Sequence, residues 1–459
     1  MKHDQRNQRG VRCQSLSSNL LEKLFPPHLE VVPQLNEVYE LQLALWESEV
    51  LSDEEIVRNG AYFSRVADQL TRHFLICRGE PVRIPQHSSS RLRSFFKTNQ
   101  FKTGYATHGL FPYRGKFHPQ MIKALLNIMG LKPGHTVLDP MMGSGTVLIE
   151  ATLMGINSVG IDASPFCRFM TQAKLDGLTV PLSPIRRAQE NPRAVFNEFC
   201  AHLAKVHSCL RKKNQDQSQA DLFSQVDNLN AVQPVDYSSQ GIENTEVHNF
   251  LLLSFLDAVG YTERSGRKGL YDNFVAILER YLFVAEKIQH VLSGAENELG
   301  HAEAFEGDAR KLPQEDGSID AVIFSPPYSF AIDYLINDEP HLKYLGIDVG
   351  SLRDSAMIGL RGRNLREQYE LYKQDMTDVL RECARVLKPD GLCTIVVGTN
   401  NDQLSRILGV KPSQVKGIDE ILVEIAAEVG LCLSTRIERQ ITGMANTMRT
   451  EYIVILKRT

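Results

Sequence analysis

The sequence predicts an α/β fold built on a seven-stranded, doubly wound sheet. Short strand-like segments alternate with helix-like segments from about residue 117, beginning with TVLDP, TVLIEATLMG and SVGID. Such alternation is typical of right-handed βαβ units, which build a parallel sheet with helices on both faces. Two further strand-like segments, LCLSTRIER and TEYIVILKR, stand near the end of the sequence and would pair as an antiparallel hairpin. Five parallel strands and this hairpin give the seven strands.

The composition is that of an ordinary globular chain. Its 459 residues carry a formal charge of −4, and its 8 cysteines are scattered singly, without a CxxC pair or a histidine at metal-ligand spacing. We expect reduced thiols and no metal site, as is usual for cytoplasmic proteins. No apolar run approaches the roughly 18 residues that span a bilayer, and the polar N-terminus lacks the apolar core of a signal peptide. The sequence therefore predicts a cytoplasmic location and no membrane partner.

The chain divides into four predicted regions. Residues 1–104 show helical periodicity, and residues 105–180 begin the α/β pattern. Residues 181–299 interrupt that pattern with helical segments around a Gln-, Asn- and Ser-rich middle, 211–245, whose composition predicts a mobile segment. Residues 300–459 resume the pattern. We therefore predict one α/β domain in two parts, with a helical N-terminal region before it and a largely helical insertion within it.

A glycine-rich turn follows the first predicted strand of the α/β region. Gly143 and Gly145 flank Ser144, and the next helix is predicted to open at Thr146. Glycines allow a ligand to approach the backbone closely, and the free N–H groups at a helix N-terminus attract carboxylates or phosphates. A tight strand-to-helix turn without any ligand would use the same residues. The turn is therefore a candidate ligand site only in combination with other residues.

Two aspartates end strands that follow this turn. Asp162 ends the next strand, where a carboxylate is suited to accept hydrogen bonds from ribose hydroxyls. Asp308 ends the first strand after the insertion, where it would hydrogen-bond an adenine amino group. A strand-terminal aspartate also serves as a helix N-cap, so each carboxylate has a structural alternative.

The strand-like segment DAVIFSPPY stops on two prolines. Proline lacks an N–H group and fixes φ, so Pro326 and Pro327 end the strand and stiffen the backbone just beyond it. A rigid strand exit is a place where α/β enzymes hold reacting groups. The prolines are also explained as simple strand terminators, and the neighbouring motifs decide between these interpretations.

Together these residues resemble the S-adenosylmethionine-dependent amino-methyltransferases, which modify exocyclic amines of nucleobases. DPMMGSGT is similar to their glycine-rich cofactor motif, GIDAS to the ribose-binding acid, GDAR to the adenine contact, and KFHPQMIKALL to the segment that supports the methionine moiety. The resemblance implies a Rossmann-like methyltransferase sheet with S-adenosylmethionine as its cofactor. The cofactor-binding residues that it implies are Phe117, Asp139, Pro140, Gly143, Ser144, Gly145, Thr146, Asp162, Ala163, Asp308 and Ala309.

The tetrapeptide SPPY resembles the catalytic motif of the same family. The implied catalytic residues are Ser325, Pro326, Pro327 and Tyr328. Serine in the first position is typical of cytosine-N4 DNA methyltransferases, whereas Asp or Asn is commoner in adenine-N6 and guanine-N2 enzymes. An exocyclic amine is a poor nucleophile because its lone pair is delocalised into the ring. Ser325 Oγ and the Pro326 carbonyl would accept its protons and favour a pyramidal nitrogen, while Tyr328 would stack on the base.

We expect double-stranded DNA as the partner, in a restriction-modification or related system. A base inside a duplex must flip out to reach such a site, and the basic segments 91–97 and 360–366 would contact phosphates. The run YATHGLFPYRGKF also resembles one found upstream of the cofactor region in restriction-associated DNA methyltransferases. The catalytic sheet takes up the C-terminal part of the sequence, so we expect target recognition in residues 1–104, in 181–299, or in both.

Three alternative functions stay open at this point. An RNA base methyltransferase, such as a tRNA guanine-N2 enzyme, has the same order of motifs, although Asp is usual where Ser325 stands. An adenine-N6 DNA methyltransferase differs only in the base. A catalytically silent nucleic-acid-binding subunit would keep the fold without needing intact motifs. The oligomeric state, monomer or dimer, is open as well.

Overall fold

The computed structural model describes residues 18–33, 35, 37–78, 104–113, 115–213, 245–265, 269–295, 298–327, 334–355, 357–440 and 450–459. The strands are β1 (Leu29–Val31), β2 (Phe63–Val66), β3 (Gln69–Leu70), β4 (Thr136–Asp139), β5 (Asn157–Asp162), β6 (Ala302–Glu306), β7 (Ile319–Phe324), β8 (Leu387–Thr399), β9 (Leu431–Gln440) and β10 (Thr450–Arg458). The helices are α1 (Ser18–Leu24), α2 (Val38–Val50), α3 (Asp53–Asn59), α4 (Arg72–Arg78), α5 (Pro119–Ile128), α6 (Thr146–Met154), α7 (Pro165–Asp176), α8 (Leu182–Glu190), α9 (Pro192–Lys213), α10 (Thr245–Ser265), α11 (Leu270–Leu292), α12 (Tyr334–Tyr344), α13 (Val349–Ser355), α14 (Leu365–Val386), α15 (Asn401–Leu408) and α16 (Ile418–Glu428).

The large sheet has seven strands in the order β6-β5-β4-β7-β8-β10-β9. Strands β4 to β8 run parallel, and β10 runs antiparallel between β8 and β9. The predicted seven-stranded sheet with a terminal hairpin is therefore confirmed. The chain moves from β4 outward to β5 and β6 on one side, and later places β7 on the other side of β4. Ligand crevices form at the carboxyl ends of parallel strands where the strand order reverses in this way.

Helices cover both faces of this sheet because successive strand residues point to opposite sides. Val137 on β4 belongs to one apolar core, which includes Val147 of α6, while the next residue, Leu138, belongs to the other. That second core includes Met376 of α14 and Leu422 of α16. All five side chains are almost completely buried. Burial on both faces explains why the parallel strands are short, continuous apolar runs in the sequence.

The insertion is largely helical, as predicted. Helices α8 to α11 pack with α7 and α12 around a third apolar core, whose buried members include Phe250 and Phe274. This core extends the sheet's helical layer on the side of β5 and β6, since α7 contacts both α10 and β6. Of the stretch predicted to be mobile, 211–245, residues 214–244 lie outside the described residues, while 211–213 end α9 and 245 begins α10. Among the residues that the structure does describe, no helix combines the length and apolarity needed to cross a membrane.

The N-terminal region differs from the prediction in a small sheet. Helices α1 to α4 are present, as predicted, but β1, β2 and β3 form a three-stranded antiparallel sheet. Ala67 has a positive φ of 48°, and it turns the chain back sharply between β2 and β3. Such a turn takes few residues, and alanine carries no turn preference that a sequence would reveal. The predicted helical region therefore also contains strands, at residues 29–31, 63–66 and 69–70.

Candidate active site

A cavity opens at the carboxyl ends of β4, β5, β6 and β7, next to the point in the sheet where the strand order reverses. Segments 113–117, 335–338 and 357–360 contribute the rest of its walls. The predicted site residues that line it are Phe117, Pro140, Gly143, Ser144, Thr146, Asp162, Ala163, Ala309, Ser325, Pro326 and Pro327. Asp139, Gly145 and Asp308 are chain neighbours of these lining residues, and Tyr328 lies outside the described residues. One cavity thus unites the cofactor motif and the first three residues of the tetrapeptide, while their individual roles stay predictions.

The glycine-rich turn packs too closely for other residue types. Gly145 has a φ of +74°, and a Cβ atom there would lie 2.5 Å from Cγ2 of Thr171 on α7. Gly143 also has a positive φ, of +48°. Its carbonyl accepts a hydrogen bond of 3.1 Å from the Thr171 hydroxyl. The turn is therefore held against α7, and the N-terminal N–H groups of α6 face the ligand side of the turn.

Asp162 joins the two loops that flank the cavity. Its Oδ2 accepts the Gly143 N–H at 2.9 Å, and its Oδ1 accepts the Ser164 N–H at 2.8 Å. Burial raises the pKa of Asp162, although both hydrogen bonds act in the opposite direction. A carboxylate oxygen has more than one acceptor site, so this group retains capacity for a ligand hydroxyl.

Asp139 lies at the base of the turn and does not line the cavity. Its Oδ1 accepts the Met141 N–H at 3.1 Å, and its Oδ2 finds no hydrogen-bond partner among the described residues. The side chain is completely buried, and burial raises the pKa of Asp139 well above its ordinary value. The next residue, Pro140, presents its ring to the cavity instead. A cofactor contact through the Asp139 side chain therefore stays a prediction.

Asp308 turns its carboxylate to an arginine. Arg310 Nη2 lies 2.8 Å from Asp308 Oδ2, and Arg310 Nη1 lies 2.8 Å from Asp375 Oδ1 on α14. Asp375 also pairs with Arg361, which follows the cavity wall at 357–360. Burial acts to raise the pKa of Asp308, but the hydrogen bonds from Arg310 hold it below its ordinary value. The flanking residues Gly307 and Ala309 line the cavity, and the adenine contact assigned to Asp308 stays a prediction.

The tetrapeptide leaves the sheet beside the glycine-rich turn. Ser325 directly follows β7, whose residue Val322 lies opposite Leu138 of β4. Because β4 and β7 are adjacent and parallel, their carboxyl ends meet at the same edge of the sheet. The strand breaks at the predicted position, and Pro326 and Pro327 both face the cavity.

A buried polar cluster fixes the helix behind the turn. Glu150 on α6 accepts hydrogen bonds of 2.7 Å from the Tyr105 hydroxyl and from His108 Nε2, and Lys123 Nζ lies 3.4 Å away. Burial lowers the pKa of His108 to about 4, so its ring is neutral and donates through Nε2. Burial alone would raise the pKa of Glu150, but Lys123 and His108 lower it to about 2. Glu150 therefore carries its charge inside the core, paired with Lys123.

Four of the cavity residues that were missed from the sequence carry titratable side chains. Tyr113, Lys116 and Cys167 line one wall, where the Tyr113 hydroxyl lies 3.3 Å from Cys167 Sγ. Lys116 Nζ donates to the carbonyl of His108 at 2.9 Å, and burial lowers the pKa of Lys116 to about 8. The run YATHGLFPYRGKF contains two of these residues, so its resemblance was the available signal. The fourth, Asp338 on α12, belongs to no motif.

The donor set suits S-adenosylmethionine. Asp162 offers acceptors for ribose hydroxyls, the α6 N-terminus favours a carboxylate, and apolar side chains such as Phe117, Ile358 and Leu360 supply the remaining walls. Within the described part of the chain, no group of three or more His, Cys, Asp or Glu side chains is arranged to hold a metal ion.

The chain matches one family model, described as UPF0020: RMKL-like, methyltransferase domain, over residues 110–233. This range contains the glycine-rich turn and Asp162. The matched range begins in the first part of the predicted domain and ends within the insertion.

Curated relatives match over limited lengths. Type II methyltransferase M.BsoBI of Geobacillus stearothermophilus is 25% identical over 296 residues, which are 56% of this chain and 56% of that protein. Type II methyltransferase M.MjaII of Methanocaldococcus jannaschii is 47% identical over 68 residues, 15% of this chain and 13% of that protein. The tRNA (guanine(10)-N2)-dimethyltransferase of Methanothermobacter thermautotrophicus is 44% identical over 52 residues, 11% of this chain and 16% of that protein.

The chain thus spans about half the length of the first relative and a small part of the other two. The site and these matches confirm the predicted resemblance and the predicted cofactor: residues 110–233 match a methyltransferase domain, and the chain resembles S-adenosylmethionine-dependent methyltransferases of the cytosine-N4 type.

Proposed function

We propose that the protein transfers a methyl group from S-adenosylmethionine to the exocyclic N4 amine of a cytosine flipped out of double-stranded DNA. One observation carries this proposal: Ser325, Pro326 and Pro327 line the same cavity as Gly143 and Asp162. A cofactor held by the turn would therefore lie next to a base held by the tetrapeptide. In a site of this kind the rate comes mostly from positioning.

The chain's own groups orient the amine. S-adenosylmethionine, when bound, supplies an electrophilic methyl group on sulfur. The Pro326 carbonyl and Ser325 Oγ accept hydrogen bonds from the two amine protons, so the nitrogen becomes pyramidal and its lone pair, no longer delocalised into the ring, points at the methyl carbon. Two consecutive prolines keep the carbonyl in place, and Tyr328 stacks on the base. The apolar walls exclude water from the transfer.

DNA as the substrate is supported by the relatives and by exposed charge. Two of the relatives are named Type II methyltransferases, which suggests a restriction-modification system. Arg363 and Arg366 are exposed just beyond the cavity wall at 357–360, where they would contact phosphates beside a flipped base. Residues 1–104 and 181–299 are proposed to read the target sequence, in a cytoplasmic enzyme.

A second candidate is an RNA guanine-N2 methyltransferase. The tRNA (guanine(10)-N2)-dimethyltransferase relative favours it, at 44% identity over 52 residues. Ser325 in place of the more usual Asp speaks for cytosine-N4 transfer instead. Adenine-N6 transfer is a third candidate, because adenine presents a similar amine beside a ring nitrogen.

Incubation with tritiated S-adenosylmethionine and either duplex DNA or total tRNA tests the proposal. Digestion to nucleosides and chromatography should place the label in N4-methylcytosine from DNA. Label in N2-methylguanosine from tRNA, or in N6-methyladenine from DNA, would replace the proposal by the corresponding alternative. The Gly145→Asp variant, whose turn cannot close against Thr171, controls for contaminating activity. Absence of transfer to every substrate, despite cofactor binding, would favour a silent binding subunit.

A further inference from the structure

Asp338 is a buried acid that lines the same cavity as the tetrapeptide. It lies on α12 and lines the cavity together with Ser325, Pro326 and Leu335. Only 6% of the residue is exposed. Neither the cofactor motif nor the mechanism proposed above uses it.

Among the described residues, no lysine, arginine or histidine forms an ion pair with Asp338. The described groups that face it are the carboxylate of Asp162 at the end of β5, the Tyr113 hydroxyl and the Cys167 thiol on α7. Burial, and then repulsion from Asp162, raise the pKa of Asp338 to about 8. Asp338 is therefore a neutral acid at neutral pH, with one O–H group that can donate to a ligand in the cavity.

Charged groups of the neighbouring helices act elsewhere on α12. Arg264 on α10 acts on His341, and Glu198 and Cys200 on α9 act on Tyr344. Both of these α12 residues lie beyond Asp338 in the chain and are not part of the cavity wall. The state of Asp338 is consequently set from the cavity side, through Asp162.

We propose that Asp338 determines which base the site accepts, by donating a hydrogen bond to the ring nitrogen next to the exocyclic amine. This inference rests on the proposed function, because it assumes that the cavity receives a nucleobase. Cytosine presents N3 and adenine presents N1 at this position, and both are acceptors. Guanine presents N1–H, a donor, beside its N2 amine. A neutral Asp338 therefore accepts cytosine or adenine and rejects guanine.

The rejection has a physical cause. The Asp338 O–H and the guanine N1–H are both donors, so in a buried site neither finds an acceptor. A site built to donate to a ring nitrogen therefore strongly disfavours a base that presents an N–H there. An ionised Asp338 would reverse the preference, since a carboxylate accepts the guanine N1–H. The preference for cytosine should therefore be lost as pH rises through the pKa of Asp338.

Binding of short thymidine oligonucleotides with one central deoxycytidine, deoxyadenosine or deoxyguanosine tests this inference. The probes are titrated in the presence of S-adenosylhomocysteine at about pH 6.5 and about pH 8.8, on either side of the pKa of Asp338 and below the pH at which the guanine and thymine ring N–H groups ionise. The wild type should bind the deoxycytidine probe about tenfold tighter than the deoxyguanosine probe at the lower pH, and lose the difference at the higher pH. Asp338→Asn keeps a neutral donor and should retain part of the preference at both pH values. Asp338→Leu should abolish it at both.

Glu339→Gln, which removes an exposed ion pair with Lys343 on the same helix, is the matched control. Unchanged S-adenosylhomocysteine affinity in the variants shows that the cavity is folded. At the lower pH, a wild-type preference for deoxyguanosine, no wild-type preference, or an unchanged preference in a folded Asp338→Leu protein would each overturn the inference. A preference that depends on Asp338, in an enzyme that does not methylate DNA cytosine, would leave the inference standing and refute the proposed function.

Discussion

The carboxylate of Asp162 accepts the backbone N–H of Gly143 at 2.9 Å. This hydrogen bond ties the end of β5 to the turn that follows β4. The acid predicted to bind ribose therefore also sets the shape of the glycine-rich turn predicted to bind the cofactor. Because this hydrogen bond joins the two parts of the cofactor site, a change in either part should disturb both.

Asp162→Ala and Gly145→Asp should each weaken S-adenosylmethionine binding by about tenfold or more. The first change removes the hydrogen bonds to Gly143 and Ser164, and the second forces a Cβ atom against Thr171. Calorimetric titration measures the affinity, with Glu303→Ala on the neighbouring strand as an exposed control. Wild-type affinity in both variants would refute the cofactor assignment of this loop.

Tyr328→Ala should lower the single-turnover methylation rate by about a hundredfold or more. A lost base stack is worth about 1–3 kcal/mol, and the misplaced base also loses positioning. Ser325→Ala should lower the rate less, because the Pro326 carbonyl still accepts one amine proton. Saturating cofactor and DNA are used, and thermal melting and cofactor titration check that each variant is folded. A folded Tyr328→Ala protein that methylates near the wild-type rate would reduce SPPY to a strand terminator.

The sheet could be predicted because its strands carry their own pattern. Apolar runs such as 136–139 and 319–324 are buried on both faces, and each is followed by a turn residue or a proline. The strands β2 and β3 escaped prediction because β3 is only two residues long, too short to show a period. Local pattern therefore identified the large sheet and missed the small one.

The site was predictable where chemistry and chain geometry coincide. Asp162 ends β5, Ser325 directly follows β7 and Gly143 lies in the turn after β4, so sequence position alone brings them to one edge. Asp338 stands in the middle of a helix, and its place in the wall depends on how α12 packs against α9 and α10. That packing is a tertiary property, which no single segment encodes.

Glu47 should make the protein less stable as pH rises. It is completely buried on α2 and accepts hydrogen bonds from the Ala61 and Tyr62 N–H groups and from Asn127. Burial raises its pKa from 4.5 to about 7. Between these values the unfolded chain releases a proton that the folded protein retains, so the free energy of unfolding falls with rising pH.

The Glu47→Gln variant does not titrate at this position. Its stability relative to the wild type should therefore increase by about 3 kcal/mol between pH values below 4.5 and above 7. Urea unfolding at both ends of the range measures the difference. A constant difference across the range would show that folding does not shift the pKa of Glu47.

Asp375→Ala should destabilise the protein by about 3–5 kcal/mol, because it leaves Arg310 and Arg361 without their shared buried partner. Asp378→Ala, on the same helix, removes only an exposed pair with Arg381 and should cost about 1 kcal/mol or less. Urea unfolding of both variants makes the comparison. Equal losses of unfolding free energy would show that the ion pairs of Asp375 with Arg310 and Arg361 contribute no more than an exposed ion pair.

Strand β10 lies between β8 and β9, with Ile453 opposite both Val396 and Ile437. During synthesis β9 leaves the ribosome before β10, so it has no partner in the sheet until Arg458 has emerged. Until then β8 is a long, apolar edge strand whose unpaired backbone N–H and C=O groups are open to other chains. Nascent chains that share a polysome are therefore at risk of pairing through β8, and this stretch is where a chaperone would protect the unfinished protein.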